Sequence, residues 1–133
     1  MTPSATYAVT TEKSVESAIE AVTDALNRRQ FSVLWHLDMN EKLVQKGLEP
    51  EPPFHVLEVC SAPRAKEALR VTQTVGYFLP CKLVVYVDRQ TGKTTLGLPD
   101  PVALLNLAGH PTLDGLAREV TAILHEAVEE AAQ

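Results

Sequence analysis

The sequence predicts an α+β domain in which helices pack on one face of an antiparallel sheet. Five short runs have the apolar content and the turn-rich boundaries of strands. Two longer segments carry apolar residues at three- and four-residue spacing, so each has one apolar stripe to bury. The main elements follow the order β-α-β-β-β-β-α, and residues 1–133 fit a single domain. We therefore expect both long helices to lie on the same face of one sheet.

The first part of the chain predicts a strand, a helix and a second strand. The first strand covers Ala5 to Thr10, and Ser14 is then a typical N-cap for a helix that ends near Arg28. The stripe of this helix consists of Val15, Ala18, Ile19, Val22, Ala25 and Leu26. The next strand alternates apolar and polar residues, which predicts one buried face. Its expected buried residues are Phe31, Val33, Trp35 and Leu37.

Prolines mark the boundaries in the middle of the chain. Asn40 to Lys46 is long enough for two helical turns that end at Gly47, and a loop with three prolines follows. Phe54 to Val59 is the next predicted strand. We expect a short helix over Arg64 to Leu69, because Pro63 suits the first turn of a helix.

A β-hairpin follows this helix. Lys82 to Val87 and Thr94 to Leu98 are strand-like, and a turn-rich link separates them. We expect Gly92 in that link to adopt positive φ, as tight hairpin turns require.

Two further helices end the chain. Asp100 is a typical N-cap and Pro101 suits the first helical position, which predicts a short helix over Val102 to Leu107 that stops at Gly109. The last helix begins at Thr112 and runs to residue 130. Its apolar stripe consists of Leu113, Leu116, Val120, Ile123, Leu124 and Val128.

Charge and composition weigh against several function classes. The net charge of −5 and the lack of a basic stripe argue against a nucleic-acid partner. No apolar run approaches the roughly 20 residues that span a bilayer, and the N-terminus lacks the features of a secretory signal. We therefore expect a cytoplasmic protein without a membrane partner. No glycine-rich phosphate loop or nucleophile elbow is present, so no cofactor is predicted.

The two cysteines of the chain lie at the edges of predicted strands near prolines, in Cys60-Ser61-Ala62-Pro63 and Leu79-Pro80-Cys81. Such thiols form a redox pair, ligate a soft metal or fill a small apolar gap, and the sequence does not choose among these roles. Cys60 precedes a helix N-terminus with Arg64 nearby, so we expect a lowered pKa and the higher reactivity there. The candidate site residues are Cys60, Pro63, Arg64, Pro80 and Cys81.

Metal binding has little support in the sequence. Two thiols are too few for a closed zinc site, and no metal is predicted. The histidines lack the i, i+4 spacing of helical metal motifs, so we expect structural or surface roles for His36, His55, His110 and His125.

Strand alternation predicts on which face of the sheet each thiol lies. Cys81 shares its phase with Leu83 and Val85, whereas Cys60 is out of phase with Val59. In regular strands the two thiols would face opposite sides, and only a twist or bulge at the strand ends would bring them together.

The order of elements, together with Val59-Cys60-Ser61-Ala62-Pro63, Leu79-Pro80-Cys81 and Asp100-Pro101, resembles the bacterial and archaeal family catalogued as domain of unknown function 302. The resemblance covers nearly the whole chain. It implies a curved antiparallel sheet with helices on one face, similar to the TATA-binding protein fold, and no established activity. Likeness of fold to a DNA-binding protein does not carry DNA binding with it.

We predict a non-enzymatic domain that binds a small ligand or a partner near Cys60 and Cys81. The alternative is a thiol redox or thiol-transfer protein that uses the same two residues, and a third reading is an interaction module in which both are core residues. We also expect a homo-oligomer, with a dimer favoured. Leu34, Val84 and Tyr86 are out of phase with the core positions of their strands and leave apolar area on the helix-free face.

Overall fold

The computed structural model describes residues 6–133 and contains one five-stranded sheet. The strands are β1 (Thr6–Thr11), β2 (Ser32–Asp38), β3 (Phe54–Cys60), β4 (Cys81–Val87) and β5 (Thr94–Pro99). They lie in the order β1-β5-β4-β3-β2, and every neighbouring pair is antiparallel. This confirms the predicted α+β architecture with one antiparallel sheet. Ala5, the expected first residue of β1, lies outside the described residues.

Five α-helices connect or follow these strands. They are α1 (Val15–Asn27), α2 (Met39–Gln45), α3 (Ala62–Val71), α4 (Pro101–Asn106) and α5 (Asp114–Ala132). Ser14 and Asp100 cap α1 and α4 as predicted, since their side chains accept the backbone N–H groups of Ser17 and Val102. Short 3₁₀ helices at Gln73–Phe78 and Pro111–Leu113, which the sequence did not predict, precede β4 and α5.

The main core lies between the sheet and the helix pair α1 and α5. Buried side chains of both helices pack in one cluster with alternate residues of β3, β4 and β5, among them Leu57, Leu83 and Leu96. The two long helices therefore share one face of the sheet, as their apolar stripes predict. A smaller cluster joins α3, α4, α5 and the 3₁₀ helices, and it contains Ala68, Val75, Leu105, Leu113 and Ala117.

The C-terminal end of α5 forms hydrogen bonds with neighbouring segments of the chain. Thr11 donates to the carbonyl of Ala132 at 2.8 Å, and the Lys13 ammonium donates to the carbonyl of Ala131 at 2.6 Å. Arg29, which follows the C-terminal end of α1, donates to Glu130 at 3.1 Å. These contacts help to hold the C-terminal end of α5 against β1 and the segment that follows α1.

Strand β2 departs from the regular alternation that the sequence predicts. The register with β3 shifts between Val33 and Trp35, so Leu34 is the extra residue of a bulge. Val33 packs against the core, but Trp35 is 51% exposed, because the bulge moves it to the other face. The prediction that Trp35 and Leu37 continue the buried face of Val33 is therefore wrong.

The face of the sheet opposite α1 and α5, called the outer face here, is partly apolar. Phe54 lies opposite Tyr86 with ring centroids 5.4 Å apart, and Val56 lies opposite Val84. The residues of the outer face on β2, β3 and β4 are Trp35, Leu37, Phe54, Val56, Glu58, Lys82, Val84 and Tyr86. An ion pair of 3.0 Å joins Lys82 to Glu58 within it.

Candidate functional site

The candidate site lies at the end of the sheet where β3 runs into α3 and β4 begins. Cys81, the first residue of β4, is directly opposite Val59, and Cys60 is the last residue of β3. Ser61 then occupies the N-cap position of α3. Two neighbouring antiparallel strands thus bring both cysteines to the same end of the sheet.

Both cysteines line one pocket with a free volume of about 30 Å³. Both residues thus contribute to one pocket, although regular alternation would place Cys60 and Cys81 on opposite faces. The other lining residues come from the loop before β2, the end of β3, the N-cap of α3, the end of the first 3₁₀ helix, and helices α3, α4 and α5. They are Phe31, Val59, Ser61, Arg64, Ala65, Ala68, Leu79, Leu105, Leu116 and Val120.

Arg64 is the one charged side chain among the described residues that line the pocket. Its guanidinium donates to Glu119 at 2.7 Å and 3.2 Å and to the hydroxyl of Ser61 at 3.2 Å. It also lies 5.8 Å from the centre of the Phe31 ring, within the range of a cation–π contact. These contacts hold the guanidinium at one side of the pocket.

Both thiols have raised pKa values. Burial raises the pKa of Cys60, so the expected lowering by the α3 N-terminus and Arg64 is wrong. The apolar lining withdraws the thiol from water, and Glu119 already compensates the charge of Arg64. Burial, followed by the negative charges of the Cys60 thiolate and of Glu58, raises the pKa of Cys81 to about 11. At neutral pH both residues are therefore thiols.

Two of the five predicted site residues do not line the pocket. Pro63 lies in the first turn of α3 and lines a separate surface groove with Lys66 and Arg70. Pro80 follows Leu79 through a cis peptide bond and precedes β4. The pocket therefore unites Cys60, Arg64 and Cys81 from the predicted set.

The sequence did not identify the apolar walls of the pocket. Leu116 and Val120 belong to the predicted stripe of α5, but the stripe does not reveal which of its residues face a cavity. Phe31 is buried and lies before β2, and Leu105 comes from α4. These residues meet only because α3, α4 and α5 converge at one end of the sheet.

Residues 6–133 lack both a cluster of three metal ligands and a membrane-spanning helix. Within residues 6–133, no three histidine, cysteine, aspartate or glutamate side chains lie close enough together to hold a metal ion. Among the same residues, none of the helices has the length and apolarity to cross a bilayer.

Comparison with known proteins identifies the family. The model of the family described as "Domain of unknown function DUF302" matches residues 7–131. A crystal structure of an uncharacterized conserved DUF302 protein from Bacillus stearothermophilus is similar, with a TM-score of 0.91 and 34% sequence identity. The similarity covers 98% of this chain and 100% of that one. Comparison with curated proteins gave no match. The extent of these matches shows that the chain belongs to the DUF302 family.

Proposed function

We propose that the protein binds a small, mainly apolar ligand in the pocket beside Cys60 and Cys81. The observation that carries this proposal is that the two thiols, from different strands, line one largely apolar pocket. Its free volume is about 30 Å³, which is room for a small group of atoms, so a larger ligand enters only when the side chains that line the pocket move apart. A binding role is favoured over catalysis, because none of the described lining residues is a carboxylate or an imidazole.

The position of Arg64 favours a ligand with one acidic or hydrogen-bond-accepting end. The guanidinium is fixed by Ser61 and Glu119, and it keeps donor capacity because it carries five N–H groups. An acceptor on the ligand would contact Arg64, while its apolar body would contact Phe31, Leu79 and their neighbours. Such a pattern of apolar walls and few polar anchors is common in ligand pockets.

The test uses a fluorescent probe and a variant that fills the pocket. The dye anilinonaphthalene sulfonate has an apolar body and one anionic end, so we expect saturable binding with one dye per chain. Ala65→Phe places a ring in the pocket and should abolish this binding, whereas Glu67→Phe places the same ring on the exposed side of α3. Circular dichroism melts would verify that both variants fold. Equal dye binding by both variants would refute the proposal.

Native mass spectrometry would complement the dye experiment. The protein is measured before and after alkylation of its cysteines. A retained small molecule that alkylation displaces supports ligand binding at the thiols. A retained molecule that survives complete alkylation would place the ligand elsewhere.

A second candidate function is thiol exchange, which the shared position of the two thiols favours. In this scheme the Cys60 thiolate attacks a low-molecular-weight disulfide and releases one thiol, and Cys81 then attacks the mixed disulfide and releases the second. The products are a Cys60–Cys81 disulfide and two small thiols, so atoms and electrons balance. A cytoplasmic location, which we also propose, would keep both residues reduced between such events.

Cysteine variants separate thiol exchange from ligand binding. With a small disulfide as the oxidant, Cys60→Ser should abolish reversible oxidation. Cys81→Ser should leave Cys60 able to form only mixed or intermolecular disulfides. Dye binding that persists in both serine variants, together with no oxidation of the unaltered protein, would reject thiol exchange and leave the binding proposal intact.

We also propose that the protein forms a homodimer through the outer face. Val84 and Tyr86 lie there, as their phase predicts, and Trp35 and Leu37 join them through the bulge. The ion pair between Lys82 and Glu58 is satisfied within the chain, so this part of the face adds no net charge. A two-fold axis would place the apolar rows of two copies against each other.

A further inference from the structure

Two histidines that are far apart in the sequence meet on neighbouring strands. His36 of β2 is directly opposite Leu57 of β3, which is two residues beyond His55, so the histidines are diagonal neighbours on one face. Nε2 of His36 lies 2.8 Å from Nδ1 of His55. Their ring centroids are 5.0 Å apart, and the rings are tilted by 49°.

The bulge in β2 creates this pair. Val33 faces the core, so a regular strand would direct His36 to the outer face, away from Leu57 and His55. The extra residue, Leu34, reverses the alternation, and His36 then lies on the same face as His55. The pair is therefore a product of a specific local irregularity.

The spacing of the two nitrogens suits a chelated metal ion. Bonds from imidazole nitrogen to a transition metal are about 2.0–2.1 Å long. Two such bonds at a right angle place the nitrogens about 2.9 Å apart, whereas the tetrahedral angle places them about 3.4 Å apart. The observed 2.8 Å is closer to the right-angle value. Square-planar and octahedral ions have this angle between adjacent ligands.

We propose that His36 and His55 chelate a divalent transition metal ion of the Ni²⁺ or Cu²⁺ class. Imidazole is a preferred ligand of these ions, whereas Ca²⁺ and Mg²⁺ prefer oxygen. No third residue among those described joins the pair, so water fills the remaining coordination positions. This site is independent of the thiol pocket and was not predicted from the sequence.

Metal binding requires a proton shift within the pair. Without metal, one nitrogen of the pair donates its proton to the other. Both nitrogens must offer lone pairs to the ion, so the bridging proton moves to the second nitrogen of its own ring. The rings then rotate so that both lone pairs converge on the metal.

The surroundings of the pair allow an ion and its water ligands to enter. His36 is exposed, and both histidines line a shallow open groove. The groove is lined by Trp35, His36, Leu37, Asp38, Glu41, Lys42 and His55. Asp38 caps α2 by accepting the N–H of Asn40 at 3.1 Å, so one carboxylate stays near the site in a fixed position.

Trp35 provides a test, because it is the one tryptophan of the chain and directly precedes His36 in β2. Ni²⁺ is the probe, since Cu²⁺ would also oxidise the thiols. We expect saturable quenching of Trp35 fluorescence at one Ni²⁺ per chain, reversed by a chelator and not produced by Mg²⁺. His36→Gln and His55→Gln should each weaken binding about tenfold or more, since loss of even an outer-shell partner has an effect of that size.

His110→Gln is the matched control, because it removes an exposed histidine from the N-cap of the second 3₁₀ helix. It should leave the Ni²⁺ affinity unchanged. Nuclear magnetic resonance of the unaltered protein gives a second measurement, in which Ni²⁺ should first broaden the ring signals of His36 and His55. Equal affinity in all three variants, or first broadening at another histidine, would overturn the proposal.

Discussion

At the scale of single residues, the two thiols differ in how strongly the fold keeps them protonated. Burial raises both pKa values, but for Cys81 the charges of Cys60 and Glu58 add to burial and the pKa reaches about 11. Only the thiolate reacts with iodoacetamide. We therefore expect Cys60 to be labelled first, and both residues to react more slowly than a free thiol at about pH 8.

Peptide mapping after timed labelling of the native protein would measure both rates. Labelling of the unfolded protein provides the control, because both cysteines should then react equally. Faster labelling of Cys81 than of Cys60 in the native state would contradict this assignment. Equal slow labelling of both would favour a purely structural role for the two residues.

The raised pKa of Cys81 also predicts a loss of stability in alkaline solution. The folded protein holds the Cys81 proton up to about pH 11, whereas the unfolded chain releases it near the ordinary value of 9.0. The free energy of unfolding therefore falls as the pH rises from the pKa of Cys81 in the unfolded chain to its pKa in the folded protein. We expect this single group to contribute a loss on the order of 1 kcal/mol by pH 10.

Urea denaturation at neutral and alkaline pH would measure the effect. Cys81→Ala removes the titrating group, so the variant should lose less stability than the unaltered protein between these conditions. An identical pH dependence in both proteins would show that Cys81 does not titrate as described.

At the scale of elements, two glycines have opposite conformational roles. Gly92 lies in the β4–β5 hairpin with φ of 73°, as the sequence predicted, and Gly115 lies in the first turn of α5. Alanine at Gly92 is strained by about 1–2 kcal/mol in this left-handed conformation. Alanine at Gly115 meets no atom within 4 Å and gains up to about 1 kcal/mol of helix propensity.

Thermal melts of the two single variants would compare these effects directly. Gly92→Ala should melt below the unaltered protein, and Gly115→Ala should melt at or above it. Because both positions have open space around them, a steric clash does not explain a difference in melting temperature between the two variants. A stabilised Gly92→Ala variant would contradict the assignment of its backbone conformation.

Features that depend on nearby residues were predicted well, whereas features that depend on how two strands pair were not. The apolar stripes of α1 and α5 and the cap at Asp100 follow from nearby residues, which explains why the sequence reveals them. The bulge at Leu34 depends on how β2 aligns with β3, and the sequence offers no local signal for that alignment. The meeting of His36 with His55 was missed for the same reason.

At the scale of the whole molecule, the sequence predicted only part of the thiol pocket. The sequence placed Cys60, Arg64 and Cys81 at the ends of adjacent elements, and the structure brings these three residues together. The walls come from helices that are distant in the chain, so their convergence is a property of tertiary packing. Pro63 and Pro80 define the backbone beside the pocket without lining it.

Self-association is the prediction that belongs to this scale. Tyr86→Glu places a charge on the outer face and should shift a dimer toward monomer, because burying an unpaired carboxylate at an interface is unfavourable. Tyr77→Glu is the control, since Tyr77 is 84% exposed in the 3₁₀ helix before β4. Sedimentation velocity at micromolar concentration would measure the change. A monomeric unaltered protein, or equal behaviour of the two variants, would reject the proposed interface.

The bulge in β2 also determines how this sheet can meet other chains. β2 is an edge strand, and a regular edge with free N–H and C=O groups invites another strand to extend the sheet. The extra residue Leu34 disrupts the even spacing of those groups along β2. Strand-by-strand growth into a continuous sheet is therefore disfavoured at this edge, which agrees with the proposed finite pair through the outer face.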